Sequence, residues 1–182
     1  MIKLYAIARS RASIVQWYLE ELAIPYEFVL LDMQAAEHLK PEFLAINPMG
    51  KVPAIVDGDF YLWESGAILL YLAQKYDKTT FSVEQLATIN QWISFANSTL
   101  FTGVFVEANR EREMPRLLTA LEGILASQPY LLGKFSVADV AVGSILAYIP
   151  ILLKLDLSAY PEVMNYMQRL GERSGLKKAM SM

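Results

Sequence analysis

The stretch Glu37–Tyr76 reads EHLKPEFLAINPMGKVPAIVDGDFYLWESGAILLYLAQKY, and it decides the architecture. Pro41–Ile46 predicts a short helix with proline in its first turn, where no N–H is needed. Val52–Val56 and Phe60–Trp63 are apolar runs on either side of Asp57-Gly58-Asp59. That pattern predicts a hairpin with a glycine-containing turn. Pro53 cannot donate to a ladder, so it belongs at the start or edge of its strand. Ser65 is placed to cap a following helix, whose apolar positions Ile68, Leu69, Leu72 and Tyr76 recur at helical spacing.

Upstream, Ile2, Leu4 and Ala6 alternate as in a strand. Val15, Tyr18, Leu19 and Leu22 fall on one helical face, and Tyr26–Leu31 is a second strand. The order β-α-β-α-β-β-α predicts a small mixed sheet with helices on both faces. Its first two strands are parallel through a right-handed crossover, and its last two are antiparallel.

Downstream of Tyr76 the strand signals stop. Asp77–Thr80 is a polar linker. A helix starts at Ser82, with Glu84 in its first turn and Ile89, Trp92, Ile93 and Ala96 on its apolar face. Arg116–Ser127 is another, striped by Leu117, Leu118, Leu121 and Leu125 and ended by Gln128-Pro129. Ser136 and Asp139 form an S-x-x-D start signal. The run Val137–Leu153 follows, interrupted by Asp139 and Pro150. It falls short of the about 20 apolar residues of a membrane span and reads as a buried helix. Pro161 opens a last helix with Val163, Met167 and Leu170. The expected division is residues 1–76 and 82–182, the second part all-α.

With 54% hydrophobic and 19% charged residues in 182, the chain can build a core. A net charge of −3 gives no broad electrostatic claim on nucleic acid or an anionic membrane. The absence of cysteine excludes disulfides, thiolate catalysis and Cys-based metal sites, and a single histidine excludes a His-rich one. The opening MIKLYAIARS is too short and too soon charged for a signal peptide, so a cytoplasmic protein is expected.

Four places can carry chemistry. Ala8-Arg9-Ser10-Arg11-Ala12-Ser13 joins the first strand to a helix N-terminus, a setting for an anion, although a serine cap beside two solvated arginines explains it equally simply. At Val52-Pro53, a cis bond would turn the Val52 backbone outward to pair with an extended peptide. Glu64-Ser65 sets a carboxylate beside a helix-start hydroxyl, suited to an ammonium and a carboxylate together, or to plain capping. His38 stands in the charged loop Glu37-His38-Leu39-Lys40, without partners for a metal.

Together with the quoted stretch and YLLGKFSVADVAVGSILAY (Tyr130–Tyr148), these places make the chain resemble the soluble, cytosolic glutathione S-transferases over nearly its whole length. The short length and the ARSRAS turn look most like the small cyanobacterial chi-like class. The resemblance implies a thioredoxin-like α/β N-terminal domain, an all-α C-terminal domain and a homodimer, with Met49 as an apolar interface anchor. It implies glutathione as co-substrate, no cofactor, no nucleic acid and no membrane. Carried over, Val52 pairs with the cysteinyl part of glutathione beside a cis Pro53. Glu64 and Ser65 hold the γ-glutamyl end, and His38 and Lys51 lie near the glycine carboxylate. The catalytic turn aligns in more than one way. One register gives Ser10 with Arg11 at the sulfur, and another gives Tyr5 with Arg11. Leu100, Phe101, Val104 and Phe105 follow the cleft-facing region of the family's first C-terminal helix, where they either line a pocket for a small hydrophobic electrophile, expected between the domains, or pack in the core. The implied activity is conjugation of glutathione to such electrophiles in detoxification. The alternatives are a non-catalytic glutathione carrier and a glutathione-dependent peroxidase. A cysteine-dependent thiol transferase is disfavoured.

Overall fold

The computed structural model describes residues 1–8 and 10–180. Arg9, part of the ARSRAS turn, lies outside the described residues. By packing, the chain divides into two units. One is Met1–Thr80 with the segment from Ser174 onward, and the other is Phe81–Arg173.

The first unit begins β1 (Ile2–Ala6), α1 (Ala12–Glu21) and β2 (Tyr26–Leu30). After a 3-10 turn at Glu37–Leu39 come α2 (Pro41–Leu44), β3 (Ala54–Asp57), β4 (Phe60–Trp63) and α3 (Ser65–Tyr76). The sheet order is β2-β1-β3-β4, with β1 parallel to β2 and antiparallel to β3, and β3 antiparallel to β4. This is the expected mixed sheet, and β3 starts one residue after Pro53, as a missing ladder donor requires. Ile2, Leu4 and Ala6 are buried on one face of β1. Tyr5 alternates to the other, where its ring lies 5.6 Å from Phe43 of α2.

Two polar clusters lock this unit. Asp57 at the hairpin accepts from Tyr71 Oη (2.7 Å), Tyr76 Oη (2.6 Å) and Lys75 Nζ (2.7 Å), tying the hairpin to α3. Burial alone would raise the Asp57 carboxyl, but the Lys75, Tyr76 and Tyr71 hydrogen bonds outweigh it and hold it down at about 2. The second cluster sits on α1. Trp17 Nε1 donates to Glu21 Oε1 at 2.9 Å, and Lys178 pairs with Glu20 Oε2 at 3.0 Å. Lys178 belongs to a helix that the sequence reading missed, α9 (Ser174–Met180). A Cβ at Gly175 would come within 2.7 Å of Glu21 Oε1, so glycine lets α9 sit against the carboxylate that holds Trp17. By packing, α9 joins the first unit, and the second unit ends at Arg173.

The second unit holds α4 (Val83–Ser94), a π-helical turn (Phe95–Leu100), α5 (Phe101–Phe105) and α6 (Glu107–Leu125). Next come α7 (Val137–Tyr148), a second π-helical turn (Ile149–Leu153) and α8 (Pro161–Gly171). α6 begins well before the expected Arg116 and runs through Pro115, which is exposed. There the ring meets solvent, and the loss is one backbone hydrogen bond. α7 is buried from Val137 to Leu146, and among the described residues no helix is long and apolar enough to cross a membrane.

Both capping boxes form, Ser82 with Gln85 and Ser136 with Asp139. Asp139 has no exposed surface. Its Oδ1 accepts from Leu131 N–H (2.9 Å) and Tyr166 Oη (3.0 Å), and its Oδ2 from Ser136 N–H (2.8 Å) and Ser136 Oγ (3.1 Å). Burial pushes this carboxyl above its ordinary value, against the pull of those donors.

Each oxygen of Asp139 thus faces one backbone N–H, which can only donate. An asparagine must turn its own NH2 toward one of the two. Asp139→Asn is expected to cost about 1–3 kcal/mol, the desolvation of one buried unpaired donor. Urea unfolding of both proteins measures it, and equal midpoints would refute the argument.

Candidate functional site

The register of the sheet assembles the site. Ala54, first in β3, pairs with Tyr5 of β1 and with Trp63, last in β4. The turn after β1, the Val52-Pro53 entry to β3 and the Glu64-Ser65 exit from β4 therefore meet at one end of the sheet. The helices that follow β1 and β4 start there too, so two N-terminal helix ends share it.

At α1 the N-cap position falls on Arg11, in helical conformation and without a side-chain cap. Ser10 lies one residue earlier, and its Oγ accepts from Ala12 N–H at 3.3 Å. This bond uses a lone pair of the hydroxyl and leaves its proton to donate. Ser13 Oγ donates back to Ser10 O at 3.1 Å and firms the turn.

At α3 the expected serine cap is not formed. Ser65 is the first helical residue, and Glu64 takes the N-cap position with no side-chain cap bond. The Ser65 side chain is buried. Glu64 has φ 70° and ψ 119°, a region open to glycine and costly for a β-carbon. Such a conformation costs of order 1–3 kcal/mol and survives only where the surroundings impose it. Among the described residues neither the exposed Glu64 carboxylate nor the Ser65 hydroxyl, 4% exposed, has a hydrogen-bond partner.

The loop before β3 is held from inside. Asn47 is 2% exposed. Its Nδ2 donates to Lys51 O at 2.7 Å, and its Oδ1 accepts from Met49 N–H at 3.0 Å. Gly50 closes the turn at φ 62°, donating its N–H to Asn47 O at 2.9 Å. A Cβ there would lie 3.1 Å from His38 O, so the loop packs on the His38 backbone. The Val52-Pro53 peptide is cis, as the family resemblance implied. Lys51 is exposed, and His38 is half-buried with Nδ1 enclosed and unpartnered. Asn47 was not singled out from sequence, although Asn-Pro-x-Gly is a turn signal that would have found it.

The structure gathers Ser10, Arg11, Val52, Pro53, Glu64 and Ser65 at one end of the sheet, with Lys51 and His38 on the adjoining loop. It turns Tyr5 toward Phe43, on the face away from Ile2, Leu4 and Ala6. In the helical unit the four apolar positions separate. Leu100 and Val104 are fully buried and have no surface to offer a ligand, which corrects their assignment to a pocket wall. Their burial is core packing at helical spacing. Phe101 and Phe105 stay half-exposed, their rings stacked with centroids 5.1 Å apart.

Chemically, this end offers cationic and helix-N-terminal groups for carboxylates, a carboxylate for an ammonium, and a hydroxyl proton for an anion. A family model of the glutathione S-transferase N-terminal domain matches residues 1–74, and one of the C-terminal domain matches residues 98–181. The chain is 34% identical to glutathione S-transferase 1 of Zea mays, over 90% of this chain and 88% of that one. It is 33% identical to the glutathione S-transferase-like protein gedE of Aspergillus terreus, over 90% and 87%. A glutathione transferase of Phanerochaete chrysosporium, crystallised with oxidized glutathione, superposes with a TM-score of 0.83 at 30% identity, covering 99% of this chain and 94% of that one. With both domain models and relatives matched across nine-tenths of its length, the chain belongs to the glutathione S-transferase family and is a glutathione S-transferase.

Proposed function

We propose that the protein conjugates glutathione to small apolar electrophiles by activating the thiol at the start of α1, as a cytoplasmic detoxification enzyme of the chi-like class. One observation carries the reading. Among the described residues the Glu64 carboxylate and the Ser65 hydroxyl have no hydrogen-bond partner and the Ser10 hydroxyl keeps its proton, and the groups at this end of the sheet match those of a tripeptide carrying two carboxylates, an ammonium and a thiol. Val52 pairs with the cysteinyl backbone, Glu64 takes the ammonium and Ser65 the adjoining carboxylate. Lys51 and His38 lie toward the glycine carboxylate. Phe101 and Phe105 supply apolar surface for the electrophile.

An ordinary thiol has a pKa of about 8.5, so little thiolate exists at neutral pH. Lowering it by about two units takes about 2.7 kcal/mol of preferential thiolate stabilisation. The Ser10 proton supplies one charge-assisted hydrogen bond. Arg11 and the α1 dipole add positive potential. Ser10 is favoured over Tyr5 because it sits at the helix end, whereas the Tyr5 ring lies against Phe43.

Ser10→Ala is expected to raise the pKa of bound glutathione by about one unit, the loss of one such bond. Stabilising the thiolate lowers the pKa, so removing that help raises it. Turnover should fall near pH 7 and recover at pH 9, where the thiol ionises unaided. Ultraviolet thiolate absorbance and a pH–rate profile follow both. Arg11→Ala should act in the same direction. Loss of turnover only on Tyr5→Phe would overturn the Ser10 register.

Glu64→Gly separates strain from function. It relieves of order 1–3 kcal/mol of backbone strain and adds about 0.5–1 kcal/mol of chain entropy. Stability should hold or rise slightly, while glutathione affinity drops by about tenfold or more with the lost charge-assisted contact. A destabilised variant that binds normally by calorimetry would contradict this.

The same reading includes a homodimer. Met49 supports it, projecting 58% exposed from the tightly held Asn47–Lys51 loop. Sedimentation at micromolar concentration is expected to give twice the chain mass, and Met49→Asp to shift it toward monomer. A wild-type monomer would exclude the dimer.

A further inference from the structure

Asn47 sits behind the site. It is buried and spends both ends of its amide on the loop that leads into β3. The bond that matters is Nδ2 to Lys51 O at 2.7 Å. The carbonyl of Lys51 and the N–H of Val52 belong to one planar peptide unit, and in a trans unit they point in opposite directions. Gripping the Lys51 oxygen from the protein interior therefore aims the Val52 N–H away from it. Met49 N–H on Oδ1 keeps the amide from swinging, and the Asn47 backbone is pinned by donation of its N–H to Phe43 O at 2.9 Å. Gly50 allows the tight return between them.

We infer that Asn47 is a positioning residue for glutathione: through the Lys51–Val52 peptide plane, it sets the direction of the Val52 N–H that pairs with the cysteinyl segment. The inference rests on the reading that Val52 binds glutathione. It assigns Asn47 to peptide recognition and not to thiol activation, because its amide bonds go to the loop before β3.

Asn47→Asp tests it directly. The substitution keeps the acceptor for Met49 N–H but puts a carboxylate oxygen against Lys51 O, so the grip is lost. Protonation of that carboxyl restores a donor of the same shape. At pH 8 the variant's KM for glutathione should rise about tenfold, with kcat at saturating glutathione within about twofold of wild type. As pH falls toward 5, the ratio of variant to wild-type affinity, measured by calorimetry at each pH, should return toward unity. A merely structural loss would also lower kcat and the unfolding midpoint at pH 8, whereas a positioning role moves KM alone. Asn47→Ala, which cannot be rescued by protons, should stay weak at both pH values. If it fails to fold, as circular dichroism would reveal, the Asn47→Asp pair of measurements still decides. Unchanged affinity in folded Asn47→Asp at pH 8, a deficit that does not respond to pH, or an equal loss in kcat overturns the inference. Wild-type protein that does not bind glutathione overturns the underlying reading instead.

Discussion

Pro53 has no backbone hydrogen to give, and the first unit is arranged around that fact. β3 begins only at Ala54, so the residues before it are released from the ladder. The same residue pairs with Tyr5 and Trp63, which fixes the register on both sides. A slip by one residue would turn the buried Ala54 and Ile55 faces over and expose what the helices cover. Because the register is held by burial, the core brings the three loops beyond it to one end of the sheet.

The positions legible in the sequence were those where a residue type forces backbone geometry or repeats with the period of its element. The strand order, the hairpin around Gly58, the Ser136–Asp139 box and the buried α7 all came from such signals. The helix start at Glu64-Ser65 did not. Its sequence resembles a serine cap, yet the cap position carries a residue at positive φ, and no local rule asks a glutamate to adopt that conformation. Pro115 lies inside α6, one residue before the expected helix start at Arg116. It marks a helix boundary by propensity, but an exposed ring on α6 loses a single bond, and burial of Leu117, Leu118 and Leu121 carries the helix through. Leu100 and Val104 show the same limit, since an apolar stripe does not say whether it faces core or ligand.

α9 was invisible for a different reason. Its seven residues have weak periodicity, and its role depends on Glu20 and Glu21, far away in sequence. The chain leaves the first unit after Thr80 and returns to it from Ser174. Contacts made by such a return carry no local trace, and loop closure over that length adds little to their cost, because the entropy grows only with the logarithm of loop length.

Polar groups fall into two populations in this molecule. Asp57 and Asp139, which hold elements together, have three and four donors respectively, and Asn47 uses both ends of its amide. At the end of the sheet the accounting differs. The Glu64 carboxylate and Ser65 hydroxyl stand without partners among the described residues, and the Ser10 hydroxyl keeps its proton. The Glu64 backbone is unfavourable for stability alone. It lies at the same end of the sheet as the open groups, where a charged peptide would pair with them. The fold keeps its saturated polar groups for holding its own elements and leaves the open ones at the end of the sheet.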